Sequence, residues 1–295
     1  MGLLNTLRFI TGHPLTRDRK LDAVRRFASW HIRSRLAAGP VEVPFVDDTK
    51  LLVTPGQTGA TGNIYVGLHE LPEMALVLHL LRPGDLFVDV GANVGSYTIL
   101  AAGAVGARCI AFEPDPVTAR ALRANVAINN AGNRVDVREV VAGGESGVAQ
   151  FSAGHDTLNH VVTRGPEEKS ITVPMTTLDE SLANESPTAM KVDVEGFESD
   201  VVRGARTVLS RASLLAVIME TNGSGARYSM SDDDLHASMV SFGFSPCDYD
   251  PFARRLTVRK KRSREGNTIY IRDIDSASQR IKTAGTFDIA GRHSL

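Results

Sequence analysis

The sequence predicts an α/β fold: a mainly parallel sheet with helices on both faces. Three observations carry this reading. From Leu86 onward, short apolar runs alternate with helix-like segments, the pattern of a parallel sheet covered on both sides. The first run ends in a glycine turn, Gly91-Ala92-Asn93-Val94-Gly95, which opens a helical segment. Carboxylates then cluster where runs end, at Asp89, Glu113, Asp193, Glu195 and Glu220. The carboxyl ends of strands are where a doubly wound sheet binds ligands.

In chain order, residues 1–40 read as helical. Leu3, Leu4, Leu7 and Ile10 recur at three to four residues, as do Leu21, Val24, Phe27, Ala28, Ile32 and Leu36, with arginines between. This segment would cap the main domain, with contact to a membrane or a lipid-linked substrate as the sharper alternative. Gly39-Pro40 stops it. Val41–Val43 and Lys50–Val53 look like short strands. The Gly/Thr-rich stretch Thr54–Asn63 reads as a flexible loop bordering a cleft, and it lacks the lysine of a phosphate loop. Leu68–Leu81 reads as a helix. The strand candidates are then Leu86–Val90, Arg108–Phe112, Val135–Val140, Ala189–Val194, Leu214–Glu220 and Thr268–Arg272. The helices between them are Ser96–Ala104, Pro116–Asn129, Ser199–Ser210 and Asp232–Phe242. Gly147–Phe151 and Ile171–Val173 would form a hairpin or edge pair. Arg255–Val258 and Asn267–Ile271 would form a final hairpin. The resulting division is an extension at 1–67, a main domain at 68–275 and a tail at 276–295.

Composition excludes several classes. The chain has 295 residues, 42% apolar, and a formal net charge of −1. Cys109 and Cys247 stand far apart, without metal or disulfide spacing. No segment approaches the roughly 20 apolar residues of a membrane span, and no signal peptide is evident, so the expected location is cytoplasmic. Basic residues concentrate at 8–35 and at 254–264. Without interleaved aromatics, these clusters do not argue for nucleic acid.

The glycine turn would let a nucleotide-like ligand approach the backbone, and the following helix start would offer free N–H groups. A dinucleotide site wants G-x-G-x-x-G. Here Gly91, Asn93 and Ser96 stand at those spacings, so the pyrophosphate fingerprint is broken. No Tyr-x-x-x-Lys pair supports a NAD-dependent epimerase or reductase either. Glu113 ends the second strand, where an acid can accept both hydroxyls of a ribose. An adenosyl ligand then fits: ribose on Glu113, adenine near Val141-Ala142, a methionine moiety over Gly91–Gly95, and Asp89 balancing its ammonium.

Four stretches carry a resemblance: Phe87–Thr98 (FVDVGANVGSYT), Ala111–Pro116 (AFEPDP), Thr177-Leu178-Asp179, and Met190–Glu198 (MKVDVEGFE). In these the chain resembles the FkbM-type methyltransferases, which depend on S-adenosylmethionine (SAM). The resemblance implies a class I methyltransferase fold with a seven-stranded sheet whose last strand is reversed. It also implies methylation of a hydroxyl on a sugar, polysaccharide or related natural product. The ligand fit and the resemblance together give the expected cofactor residues: Asp89, Gly91, Ala92, Asn93, Gly95, Tyr97, Glu113, Pro114, Val141, Ala142 and Asp193.

Methyl transfer to a hydroxyl needs the oxygen held on the methyl axis and a base for its proton. The candidates are His155 and His160, and the strand-end acids Asp193, Glu195 and Glu220. Glu195 could equally cap the next helix. Asp193, Glu220 and Asn222 would make an oxygen-rich set suited to Mg²⁺ or Ca²⁺, although adjacent strand-end carboxylates also occur without metal. A glycan or small-molecule acceptor and a homo-oligomer complete the expectations.

Overall fold

The computed structural model describes residues 2–55, 58–152, 160–162, 170–264 and 266–295. Helices α1 (Leu3–Gly12) and α2 (Lys20–Leu36) form where the periodicity places them. Ile10, Leu15, Ala23 and Trp30 bury into the main core, so this extension shares the domain's packing. Strands β1 (Val41–Pro44) and β2 (Lys50–Val53) pair antiparallel. The expected loop at Thr54–Asn63 is instead helical from Thr58, as α3 (Thr58–Val66). Its glycines disfavour a helix, but buried Ala60 and Val66 and the side-chain bonds of Asn63 override that preference.

Helix α4 (Leu71–Leu80) begins later than the pattern suggested, with Pro72 in its first turn. Strand β3 (Leu86–Val90) follows. The expected helix Ser96–Ala104 is a single α-turn, α5 (Ser96–Thr98), that widens into a π-helix over Ile99–Val105. Next come β4 (Arg108–Phe112) and α6 (Pro116–Ile128), whose first turn the Asp115 carboxylate caps. Val135–Val140 is not one strand. It divides into β5 (Val135–Arg138) in the main sheet and β6 (Val141–Ala142), which joins β7 (Gly147–Ser152) and β8 (Ser170–Thr176) in a small second sheet.

After α7 (Leu178–Ser181) and β9 (Ala189–Val192), the expected helix Ser199–Ser210 breaks into α8 (Glu198–Arg203) and α9 (Arg206–Leu209). The break has a cause: both oxygens of Asp179 accept from Thr207 N and Val208 N, which starts α9 afresh. Strand β10 (Ala216–Glu220), α10 (Asp232–Ser241), β11 (Ser245–Asp250), β12 (Arg255–Val258), β13 (Asn267–Ile271) and α11 (Ile274–Lys282) follow. The short pair β14 (Asp288–Ile289) and β15 (His293–Ser294) ends the chain. Helix α11 runs across residue 275. The tail returns to the extension, where Asp47 N donates to Asp288 O and Ala290 N to Phe45 O.

Among the described residues the main sheet has eight strands rather than seven, in the order β12-β11-β13-β10-β9-β3-β4-β5. Strands β5, β4, β3, β9 and β10 are parallel, and β13 runs against both its neighbours. The expected final hairpin between β12 and β13 does not form. Strand β12 pairs with β11 instead, and β13 inserts between β10 and β11. Burial explains the exchange. Thr268–Ile271 are all buried and belong inside the sheet, whereas Arg255, Thr257 and Val258 are exposed and suit an edge. Successive residues of β3 serve opposite faces. Phe87 packs under α4 and the π-helix, whereas Val88 and Val90 pack with Val201, Leu235 and Met239 from α8 and α10.

Candidate active site

A cavity of about 330 Å³ opens over the carboxyl ends of β3, β4, β9 and β10. Of the expected cofactor residues, Asp89, Gly91, Ala92, Asn93, Tyr97, Glu113, Pro114, Val141, Ala142 and Asp193 all line it. Gly95 does not; with φ +92° it turns the chain into α5 behind the wall.

The turn after β3 is held from within. Gly91 N and Ala92 N both donate to Phe112 O, at 3.0 Å each, and Gly95 N donates to Ala92 O. Asn93 N donates to Glu113 Oε2 at 2.9 Å, and Val94 N to Asn93 Oδ1 at 2.7 Å. All five amides of this turn are therefore used within the protein. The turn offers close approach rather than a nest for phosphate. Gly91 supplies that approach, since at φ +81° a Cβ would sit 1.8 Å from Asp193 O.

Glu113 is 6% exposed, and its Oε1 also accepts from Asp115 N. Burial pushes its carboxyl up to about 7 against the pull of these two bonds. Each oxygen retains a lone pair toward the cavity, enough for a ribose diol. Val140, Val141, Ala142, Phe151 and Phe197 make an apolar wall beside it, suited to a flat base. The donor set thus fits an adenosyl ligand that carries no pyrophosphate.

The opposite end is charged. Asp193, Glu195 and Glu220 each bring one oxygen within 4.8 Å of the others. Burial, then Asp193, Glu195 and Glu198, push Glu220 up to about 10. Its Oε1 accepts from Asn222 Nδ2 at 2.6 Å, whereas its buried Oε2 has no partner among the described residues. Burial, then Asp193 and Glu198, push Glu195 up to about 7, on a backbone strained at φ +55°. Glu195 does not cap the next helix. No side chain caps that helix; Glu198 Oε1 instead accepts from Val194 N and Gly196 N in the turn before it. Asn222 does not turn an oxygen to the cluster, because its Oδ1 accepts from Ser224 N. Glu195 takes its place in the oxygen-rich set.

Lys191 was within the quoted motif but had no role assigned to it. It is 4% exposed, with Nζ 2.5 Å from Asp193 Oδ2 and 4.8 Å from the Tyr97 ring centre. It lies opposite Asp89 in the β3–β9 register. Burial opposes its charge, but Asp193, Glu70 and Asp89 outweigh that and raise its pKa. Asp89, 1% exposed, is pushed up to about 6 by burial and accepts from Thr98 Oγ1 at 2.7 Å. Glu70 stands at the N-cap position of α4. It accepts from Tyr97 OH at 2.6 Å and Asn267 Nδ2 at 2.7 Å, so it joins α4, α5 and β13 beneath the cavity. The alternation of strand positions could have flagged Lys191, since an inward lysine in an apolar strand needs anionic partners.

Among the histidine candidates, His160 does not line the cavity. Its backbone N donates to Ser152 Oγ at 2.9 Å. His155 lies outside the described residues.

A family model described as the methyltransferase FkbM domain matches residues 89–246. Among curated proteins, 31-O-demethyl-FK506 methyltransferase FkbM of Streptomyces tacrolimicus is 41% identical over 73 residues, 24% of this chain and 27% of that protein. Ribosomal protein L11 methyltransferase of Chloroflexus aurantiacus is 31% identical over 115 residues, 38% of this chain and 33% of that protein. The chain thus spans a third or less of the curated relatives it matches. Among solved structures, a SAM-dependent methyltransferase from Thiobacillus denitrificans in complex with S-adenosylhomocysteine is 14% identical, with TM-score 0.35, over 59% of this chain and 64% of that one.

Proposed function

The chain belongs to the FkbM methyltransferase family, and from that premise we propose that it transfers a methyl group from SAM to a hydroxyl of a sugar or glycoconjugate. The observation that carries this reading is a single cavity with buried Glu113 at one end and the Asp193, Glu195 and Glu220 carboxylates at the other. Bound SAM would supply an electrophilic methyl on a sulfonium. Glu113 would hold the ribose, Val141 and Ala142 the adenine face, and Asp89 the charged amino group. Protonated Glu220 donates a hydrogen bond to the acceptor, Asp193 is held in place by Lys191, and Glu195 takes the hydroxyl proton. Such base assistance is typically worth about 10²–10⁴-fold. A small natural product is the second acceptor reading, favoured by the name of the Streptomyces relative, which describes an O-methylation.

Calorimetry with SAM, S-adenosylhomocysteine and NAD tests the first half. Both adenosyl ligands should bind and NAD should not. Glu113→Ala should weaken S-adenosylhomocysteine roughly 10–100-fold, since it removes bonds to a charged acceptor. Unchanged affinity would refute the ribose assignment. Mass spectrometry of glycans after incubation with labelled SAM tests the acceptor.

A further inference from the structure

Helix α2 is apolar on two opposite sides. One side, with Ala23 and Trp30, is buried against the domain, where Arg26 Nη2 also donates to Tyr65 O at 2.7 Å. The other side faces solvent. Leu21, Val24, Ala28, Ile32 and Leu36 follow one another at three or four residues and so form one stripe. Their exposure is far from incidental, at 76% for Leu21, 60% for Ile32 and 82% for Leu36.

We propose that this outer face of α2 lies on an anionic lipid surface. The charges around the stripe select that occupant. By the helical period, Arg25 and Arg35 fall within it, Lys20 and Arg33 flank it, and all four are exposed. The only acid in the helix is Asp22, which lies 3.4 Å from Arg25. Apolar side chains among basic ones are what an interfacial helix presents to acidic headgroups. A second copy of this chain docked through the same stripe would set Arg25 and Arg35 near their own counterparts, a like-charge arrangement that opposes pairing. Neither Gly39-Pro40 nor the hairpin β1–β2 folds over the stripe, as these exposures show.

The test is co-sedimentation of the full chain with phosphatidylglycerol vesicles and with phosphatidylcholine vesicles. Binding is expected to the first, weakening as salt rises, and not to the second. Ile32→Glu with Leu36→Glu should lower it by roughly tenfold or more. Arg33→Gln with Arg35→Gln should lower it by about tenfold. Circular dichroism and S-adenosylhomocysteine affinity should stay unchanged in both variants, because these side chains face away from the domain. No binding to anionic vesicles, equal binding to both vesicles, or binding indifferent to Ile32→Glu/Leu36→Glu would overturn the proposal. So would a dimer in solution that the same pair of substitutions dissociates.

Discussion

The two ends of the cavity are built on opposite principles. At the Glu113 end every amide of the turn Gly91–Gly95 is bonded inside the protein, and both Glu113 oxygens have backbone donors. That end is finished before any ligand arrives. At the other end three carboxylates crowd together with one lysine, and Glu220 Oε2 is buried without a partner among the described residues. A buried carboxylate oxygen left in that state favours a proton, as at Glu220, and binds whatever completes it. Invariant ligand parts suit the first end, and proton movement suits the second.

The sharpest way to break this contrast is at Gly91, where the turn meets the backbone of Asp193. A methyl on Gly91 would meet the Asp193 carbonyl at 1.8 Å and also carry the cost of φ +81°. That conformational cost alone is about 1–2 kcal/mol. Gly91→Ala should therefore destabilise by more than about 4 kcal/mol, measured by denaturant unfolding. A loss below about 1 kcal/mol would mean that β3 and β9 separate easily there, and that the finished end is not rigid.

Removing the resident cation comes next. Lys191→Met keeps the volume but leaves Asp193 and Asp89 without their counter-charge. Breaking a buried pair in this way costs about 3–5 kcal/mol. The variant should melt lower, and S-adenosylhomocysteine should bind it more weakly than it binds wild type. Unchanged stability would show that the charged end is wetter than its burial implies.

The first end was legible in the sequence and the second only in part. Gly91 and Glu113 are set by local rules, a turn and a strand end, and those rules act over few residues. Asp193, Glu195 and Glu220 were readable as strand-end acids for the same reason. Lys191 could be seen but not interpreted, because its partners Asp89 and Glu70 come from other elements. Asn222 misled because sequence shows that an amide is present but not which atom it turns inward. The strand β11 was missed because Pro246, Asp248 and Asp250 interrupt its apolar pattern, and only its pairing with β13 on one side and β12 on the other makes it a strand. Without it, β12 and β13 look like neighbours.

Acidity distinguishes the carboxylates within the second end rather than the two ends, since burial pushes Glu113 up to about 7 as well. Glu195 lies at about 7 and Glu220 at about 10. If Glu195 accepts the hydroxyl proton, kcat/KM should rise with pH to a plateau above 7, falling about tenfold per unit below it. Glu195→Gln should abolish that limb. Stability should move the other way. Both pKa values are raised above the ordinary carboxylate range, so the contribution is fully present below about 4.3. It is lost as pH rises through 7 toward 10, and Tm should fall over that window. A flat Tm would show that the cluster is already ionised or neutralised by another cation.

The smallest expected effect is that of metal removal. Asp193, Glu195 and Glu220 have the spacing of a divalent-cation site, but Lys191 Nζ lies 2.5 Å from Asp193 Oδ2, on an oxygen such an ion would use. An ammonium and a divalent ion repel each other, so Lys191 competes with any such ion for Asp193. EDTA should therefore change turnover and S-adenosylhomocysteine affinity by less than about twofold, a difference well under RT-scale significance for a catalytic ion. Added Mg²⁺ should release no protons at pH 8, where a loaded site would take the one on Glu220. Loss of turnover in EDTA, restored by Mg²⁺ and accompanied by proton release, would mean that Lys191 swings away and that the charged end is completed by a metal.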